Sequence, residues 1–315
     1  MLRSAQPCGH ERDHSRMMVL LAGLVLVTAQ SRDSTVEKIQ ARIRQEPGAQ
    51  VGLAYADLAS GDTLFLNADT SFHAASTMKV PVMIELFRRA TTGSFAMSQP
   101  LLIVNQFASI VDGSAYALDS TSDSDTTLYH RVGGRVRVDT LLRLMITRSS
   151  NLATNTLIAL VGAEDVNSAM RSLGAQRMQV LRGVEDGKAF DKGLINTTTA
   201  RDLATILRAI EEGRAGSTEA TDEMRQILLA QEFNEKIPAG LPPGIRVAHK
   251  TGEITAHSHD AAIIYPPGRK PYVLVVLTRG IQDGARASKL IADISSIVYA
   301  RNAARVNTPS GLLTH

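Results

Sequence analysis

Ser76 and Lys79 stand three residues apart in HAASTMKVPV, where an apolar helical pattern begins. A hydroxyl in the first turn of a helix lies near free backbone N–H groups and the positive end of the dipole. A lysine one turn further shares its face and reaches that hydroxyl. The pair becomes an activated nucleophile when burial or a second cation lowers the lysine pKa. Taken alone, the spacing equally fits a serine that merely caps a helix. Two further stretches bear on the choice. In ITRSSNLATN one helix ends and another begins, and Ser149 supplies a second hydroxyl able to relay a proton to a leaving group. The Asn151 amide beside it can hold a substrate carbonyl. In AHKTGE, Lys250, Thr251 and Gly252 occupy a strand that otherwise wants apolar residues. Glycine weakens a strand interior. The three make sense where a ligand edge pairs with the strand and Lys250 offers a positive charge to a carboxylate.

These side chains need elements to hold them. TVEKIQARIRQE puts Val36, Ile39 and Ile43 on one helical face, with Asp33 or Ser34 as cap. QVGLAYAD and DTLFLN, joined by LASG, read as a hairpin. STMKVPVMIELFRRA is an amphipathic helix whose Pro81 falls in the tolerant first turn. VDTLLRLMITR and LATNTLIALVG follow as helices capped by Asp139 and Asn151, then EDVNSAMRSLG, TTTARDLATILRAIEEG and TDEMRQILLAQ. DGSAYALDSTSDSDTTLYHRVGG reads as a surface loop. Strands return in IRVAHKTGE, DAAIIYP and PYVLVVLTR, before a last helix through ASKLIADISSIVYARN. The expected fold is therefore mixed α/β (α+β). Strands from both ends form one antiparallel sheet flanked by the first and last helices, with an all-helical lobe inserted. The expected division is an α/β lobe at about 33–72 and 200–305 and a helical lobe at about 73–199, with the site in the cleft between them.

The chain of 315 residues carries a formal net charge of +3 and 44% hydrophobic residues, enough for a large core. Its basic residues are scattered and aromatics make up only 4%, which argues against nucleic-acid binding. Arg12 and Arg16 precede the apolar run MMVLLAGLVLVTA, and small residues follow at Val27-Thr28-Ala29. That pattern reads as an export signal over residues 1–29, too short to span a bilayer comfortably, with translation starting at Met1, Met17 or Met18. An uncleaved anchor is the alternative. The single cysteine, Cys8, lies upstream of the run, so a cleaved product has no disulfide, thiol nucleophile or cysteine zinc site.

Ser-x-x-Lys, Ser-x-Asn and Lys-Thr-Gly, in that order, make the chain resemble class A β-lactamases and their penicillin-binding relatives over nearly its whole exported length. The resemblance implies Ser76 as acylated nucleophile and Lys79 as its base, with Ser149 and Lys250 relaying protons and binding the substrate carboxylate. Asn151, Thr251, Gly252 and Glu253 would line the substrate, the backbone N–H groups of Ser76 and Glu253 forming the oxyanion hole. In class A enzymes a loop glutamate activates water for deacylation. Here VLRGVEDGKAFDKGLINTTTA offers Glu185, with Asp186 beside it. It comes three residues after Arg182 rather than two, Ala189 or Phe190 stands where Leu-Asn is expected, and an Arg182-to-Asn196 clasp loses the family's ion pair. Glu253 stands where a small residue is usual; it would repel an anionic drug, or turn away to Arg246 or another cation. HSHD (His257, His259, Asp260) reads as a polar turn rather than a zinc site, and His249 as packed. The function implied is an exported, periplasmic or secreted, monomeric serine hydrolase opening β-lactams without metal or organic cofactor. A D-Ala-D-Ala carboxypeptidase acting on peptidoglycan, or a non-hydrolytic penicillin sensor, is the alternative.

Overall fold

The computed structural model describes residues 34–304; the expected export signal and Cys8 lie outside them. Helix α1 (residues 34–44) leads into strands β1 (Gln50–Asp57) and β2 (Thr63–Leu66). Strand β3 (Phe72–His73) and a 3₁₀ turn, Ala75–Met78, precede α2 (Lys79–Thr91). The stretch up to the next helix holds β4 (Pro100–Leu102), β5 (Phe107–Ala108), β6 (Ala115–Tyr116), a 3₁₀ turn at Thr127–Arg131 and β7 (Arg135–Arg137). Helices α3 (Val138–Thr147), α4 (Asn151–Val161), α5 (Ala163–Ser172) and α6 (Gly187–Asp191) follow, then β8 (Thr197–Thr198), α7 (Ala200–Glu211) and α8 (Thr218–Leu229). The chain closes through β9 (Arg246–Ile254), β10 (His257–Tyr265), β11 (Tyr272–Arg279) and α9 (Gly284–Ala304).

The main sheet runs β2-β1-β11-β10-β9, every neighbour antiparallel, so both ends of the chain meet in its middle. Strand β11 is central and apolar almost throughout because both its faces are covered. Val273, Val275 and Leu277 point to the helical side, while Tyr272, Leu274 and Val276 join Ile39 of α1 and Leu290, Ile291 and Ile294 of α9. This is the period-two alternation of a strand serving two cores. Full burial of each such side chain contributes roughly 1.5–3 kcal/mol. Strand β9 is left at the edge, beside the 3₁₀ turn that carries Ser76.

Two expectations change. HSHD is the start of β10 itself, the turn being Thr255 and Ala256, and His257 pairs with Arg279 across β11. Buried His259 accepts from the Thr278 N–H at Nδ1 (3.2 Å) and reaches the His73 carbonyl from Nε2 (2.8 Å), so both ring nitrogens serve packing. The Asp- and Ser-rich stretch is more than a surface loop: Asp123 and Asp125 are buried, and the strands β5 and β6 form a small hairpin.

Gly240 marks the tightest approach of the segment before β9 to α9. A Cβ there would stand 1.9 Å from the Ala292 carbonyl oxygen, a backbone atom that yields only if the helix moves. Gly240→Ala is expected to lower unfolding free energy by about 1–3 kcal/mol, read as a lower urea midpoint at unchanged m-value.

Candidate active site

Three separate stretches of chain bring the motif residues together. Ser76 sits on the 3₁₀ turn, Lys79 opens α2, Ser149 and Asn151 stand at the α3–α4 junction, and Lys250 to Glu253 lie on β9. Pro81 is the third residue of α2, where its missing N–H costs no helical bond. Gly252 allows the convergence. A Cβ at this position would lie 3.1 Å from the backbone nitrogens of both Ser76 and Thr77. The absent side chain is thus explained by the serine turn itself, closer than the ligand edge inferred from sequence.

The polar contacts centre on Ser149. Lys79 Nζ donates to the Ser149 carbonyl (2.6 Å), and lies 3.1 Å from its Oγ and 2.9 Å from Asn151 Oδ1. Lys250 Nζ reaches the same Oγ at 3.0 Å and the Thr251 carbonyl at 3.0 Å. Both lysines are fully buried. Burial pushes Lys79 down to about 7, against the opposing pull of Asp123 and Glu185. Lys250 is driven well below its ordinary value by burial and then by the charge of Lys79. A neutral Lys79 amine keeps two donors and presents a lone pair to the Ser149 hydroxyl. The Ser76 hydroxyl makes no hydrogen bond among the described residues, which leaves it open to the cleft.

Glu185 closes the ring. Its Oε1 accepts from Asn151 Nδ2 at 2.7 Å, so one amide touches Lys79 with its oxygen and Glu185 with its nitrogen. Ala75, Ser149 and Glu185 all have positive φ, at 45°, 59° and 61°, and only two other non-glycine residues among those described do. Strained backbone gathered on one cleft is the pattern of a working site.

A family model described as the Beta-lactamase enzyme family matches residues 34–301. The chain belongs to that family. It is a class A serine β-lactamase-like family, and the relatives include Beta-lactamase AST-1 of Nocardia asteroides, 31% identical over 263 residues covering 82% of this chain and 81% of the relative. The β-lactamase of Streptomyces albus G is 26% identical over 270 residues, covering 84% of each. Among solved structures, PBP-A aligns with TM-score 0.75 at 28% identity, over 86% of this chain and 96% of its own. The β-lactamase of Sphaerobacter thermophilus aligns with TM-score 0.72 at 28% identity, over 85% and 97%.

This β-lactamase-family chain also uses residues the motifs do not name. Asp123 accepts from the backbone N–H groups of Asn151 (2.9 Å) and Leu152 (3.1 Å) and from the Tyr129 hydroxyl (3.0 Å). With Ser150, which accepts from Ala153 N (3.3 Å), it caps α4, so Asn151 is not the cap expected and its side chain is free for the site. Asp139 likewise lies inside the first turn of α3 and pairs with Arg137 instead of capping. Asn155, four residues after Asn151 on the same face, accepts from the Val184 N–H (2.7 Å) and donates to the Val184 carbonyl (3.0 Å). Asp186 accepts from Ser109 Oγ (2.9 Å) and Ile110 N (3.0 Å), fastening the loop from the other side of Glu185.

The neck of that loop has no ion pair, as the sequence implied. Asn196 Oδ1 accepts from Leu181 N (2.8 Å) and Arg182 N (3.2 Å), while the Arg182 guanidinium donates to the carbonyls of Leu194 and Gly183. Glu253 turns to Lys236 (2.7 Å) rather than Arg246, which lies over the Tyr265 ring. Buried His249 meets Asp260 (3.0 Å) and is packed, as read.

Asp123 is expected to matter to chemistry through Asn151. Asp123→Ala should cost about 0.5–2 kcal/mol as a lost cap and lower the rate of Ser76 acylation at least tenfold. Asp123→Asn should fall between it and the wild type in both melting and acylation assays.

Proposed function

We propose that this chain is an exported serine β-lactamase that opens the β-lactam amide through an acyl-Ser76 intermediate. The observation that supports the reading is the chain of contacts from Lys79 through Asn151 to Glu185, an amine and a carboxylate joined by one amide. Lys79, neutral, takes the Ser76 proton as Oγ attacks the carbonyl carbon. The backbone N–H groups of Ser76 and Glu253 stabilise the oxyanion. Ser149 gives its proton to the ring nitrogen as the C–N bond breaks, and is reprotonated from Lys79 with Lys250 beside it. Glu185 then takes a proton from water, whose oxygen attacks the ester; the Ser76–acyl bond breaks and the proton returns to Ser76. Lys250 and Thr251 receive the substrate carboxylate.

The second reading, a penicillin-binding peptidase or sensor acting at the same serine, draws support from the likeness to PBP-A, a mutant of which was solved as an acyl-enzyme complex with penicillin-G. The difference lies in deacylation, and a carboxylate tied to Asn151 favours hydrolysis.

Mass spectrometry of the protein incubated with benzylpenicillin separates the two. A transient adduct on Ser76 with continuing drug loss is the expected result, and Glu185→Gln should hold the adduct. A lasting stoichiometric adduct in the wild type would mean the peptidase or sensor, and no adduct would refute both. The pH dependence has a definite sign. Because Lys79 must be neutral and is held at about 7, acylation of the wild type followed by stopped-flow should be slow below pH 6 and rise with a midpoint near 7; Glu185→Gln, which removes a carboxylate that raises the Lys79 value, should move the midpoint lower.

A further inference from the structure

We infer that Glu253, paired with Lys236, makes the carboxylate end of the cleft select substrates that carry a positive group there, zwitterions above simple anions. The inference rests on the proposed β-lactam chemistry and adds the class of substrate.

Gly252 lies directly against the serine turn, and Glu253 is one strand step further, about 3.3 Å along an edge with no neighbouring strand. Thr251 and Glu253 share one face of β9, while Lys250 reaches the other way to Ser149. A substrate lying along that edge, its carbonyl at Ser76, therefore passes Glu253 with the group it carries next to its carboxylate. The Glu253 side chain is 59% exposed and meets Lys236, only 1% exposed, at 2.7 Å.

The cations at this end are already engaged. Lys236 is shared with Glu235, also at 2.7 Å, so two carboxylates hold one ammonium and the trio is net negative. Arg148, beside Ser149, is paired with Glu232 (3.0 Å) and Asp125 (3.7 Å). The charges of Asp123 and Glu185 act on Lys79, and that of buried Asp260 acts on Lys250. An anionic substrate has to share Lys250 with a neighbouring carboxylate, whereas a substrate with an ammonium or pyridinium group finds in Glu253 an exposed carboxylate, one oxygen of which meets Lys236. At an effective dielectric of about 40 and a separation of about 6 Å, one such interaction is worth about tenfold in transition-state binding.

The test compares two cephalosporins with the same acyl side chain, one bearing a neutral C3 substituent and the other a cationic pyridiniummethyl group. Because the C3 group also alters intrinsic reactivity, the quantity read is the ratio of their kcat/KM values in wild type relative to Glu253→Gln. The expected result is that Glu253→Gln lowers the preference for the zwitterion about tenfold at low salt, with a smaller drop at high ionic strength. Lys236→Gln, which leaves Glu253 uncompensated, should raise the preference instead. A ratio that changes less than twofold in both variants would overturn the inference while leaving the hydrolase standing. Failure of both cephalosporins to acylate wild-type Ser76 would remove the β-lactam reading and this inference with it.

Discussion

One serine hydroxyl held between two buried lysine amines is the arrangement on which the rest depends. Two ammonium groups on one oxygen in a dry site are mutually repulsive, and desolvation acts in the same direction. The protein does not cancel that tension with a direct salt bridge. Asp123 and Glu185 bias Lys79 from a distance, while its hydrogen bonds go to neutral oxygens of Ser149 and Asn151. A carboxylate in direct contact would fix the proton on the amine. Neutral acceptors leave it free to move, which is what a relay through Ser149 needs.

The surrounding fold is arranged to keep those groups within hydrogen-bond reach. The edge strand meets the serine turn only because Gly252 lacks a Cβ. The helix that begins at Asn151 receives its first N–H groups' partner from Asp123, about thirty residues earlier in the chain, so the cleft wall and the Asn151 amide are fixed by the same carboxylate. Glu185, in a left-handed backbone conformation, is pinned at Val184 by Asn155 and at Asp186 by Ser109 and Ile110. Those short-range clamps replace an ion pair across the loop's neck.

Much of this was legible in the sequence. Period-two runs in the first and last segments predicted the antiparallel sheet, and helical periodicity predicted the layers that cover it. PYVLVVLTR was readable as a strand, while its place at the centre of the sheet came only from its partners on either side. The three motifs pointed to the residues that meet. What failed to show was contact between segments distant in sequence. Nothing local marks Asp123 as a cap for a helix that begins at 151, since aspartates in a Ser- and Asp-rich stretch look solvated. Asn155 did carry a signal, two asparagines four apart on one helical face, but only the position of the loop gave it meaning. The His-x-His pattern of β10 misled for a related reason: polar residues suggested a turn, and tertiary partners at His73 and Thr278 supplied what a strand required.

The pairing of β1 with β11 carries a consequence for how the molecule assembles. Gln50–Asp57 finds its central neighbour in Tyr272–Arg279, after more than two hundred intervening residues. Until that last strand is available, β1 and β2 form a hairpin with one open edge, and α1 has no α9 to share a core with. The main sheet is thus completed late, by contacts of very high sequence separation, which slow folding. The helical layer between them is held by contacts closer in sequence, so the two walls of the cleft, the helix that opens at Lys79 and the strand that carries Lys250, depend on contacts of very different range.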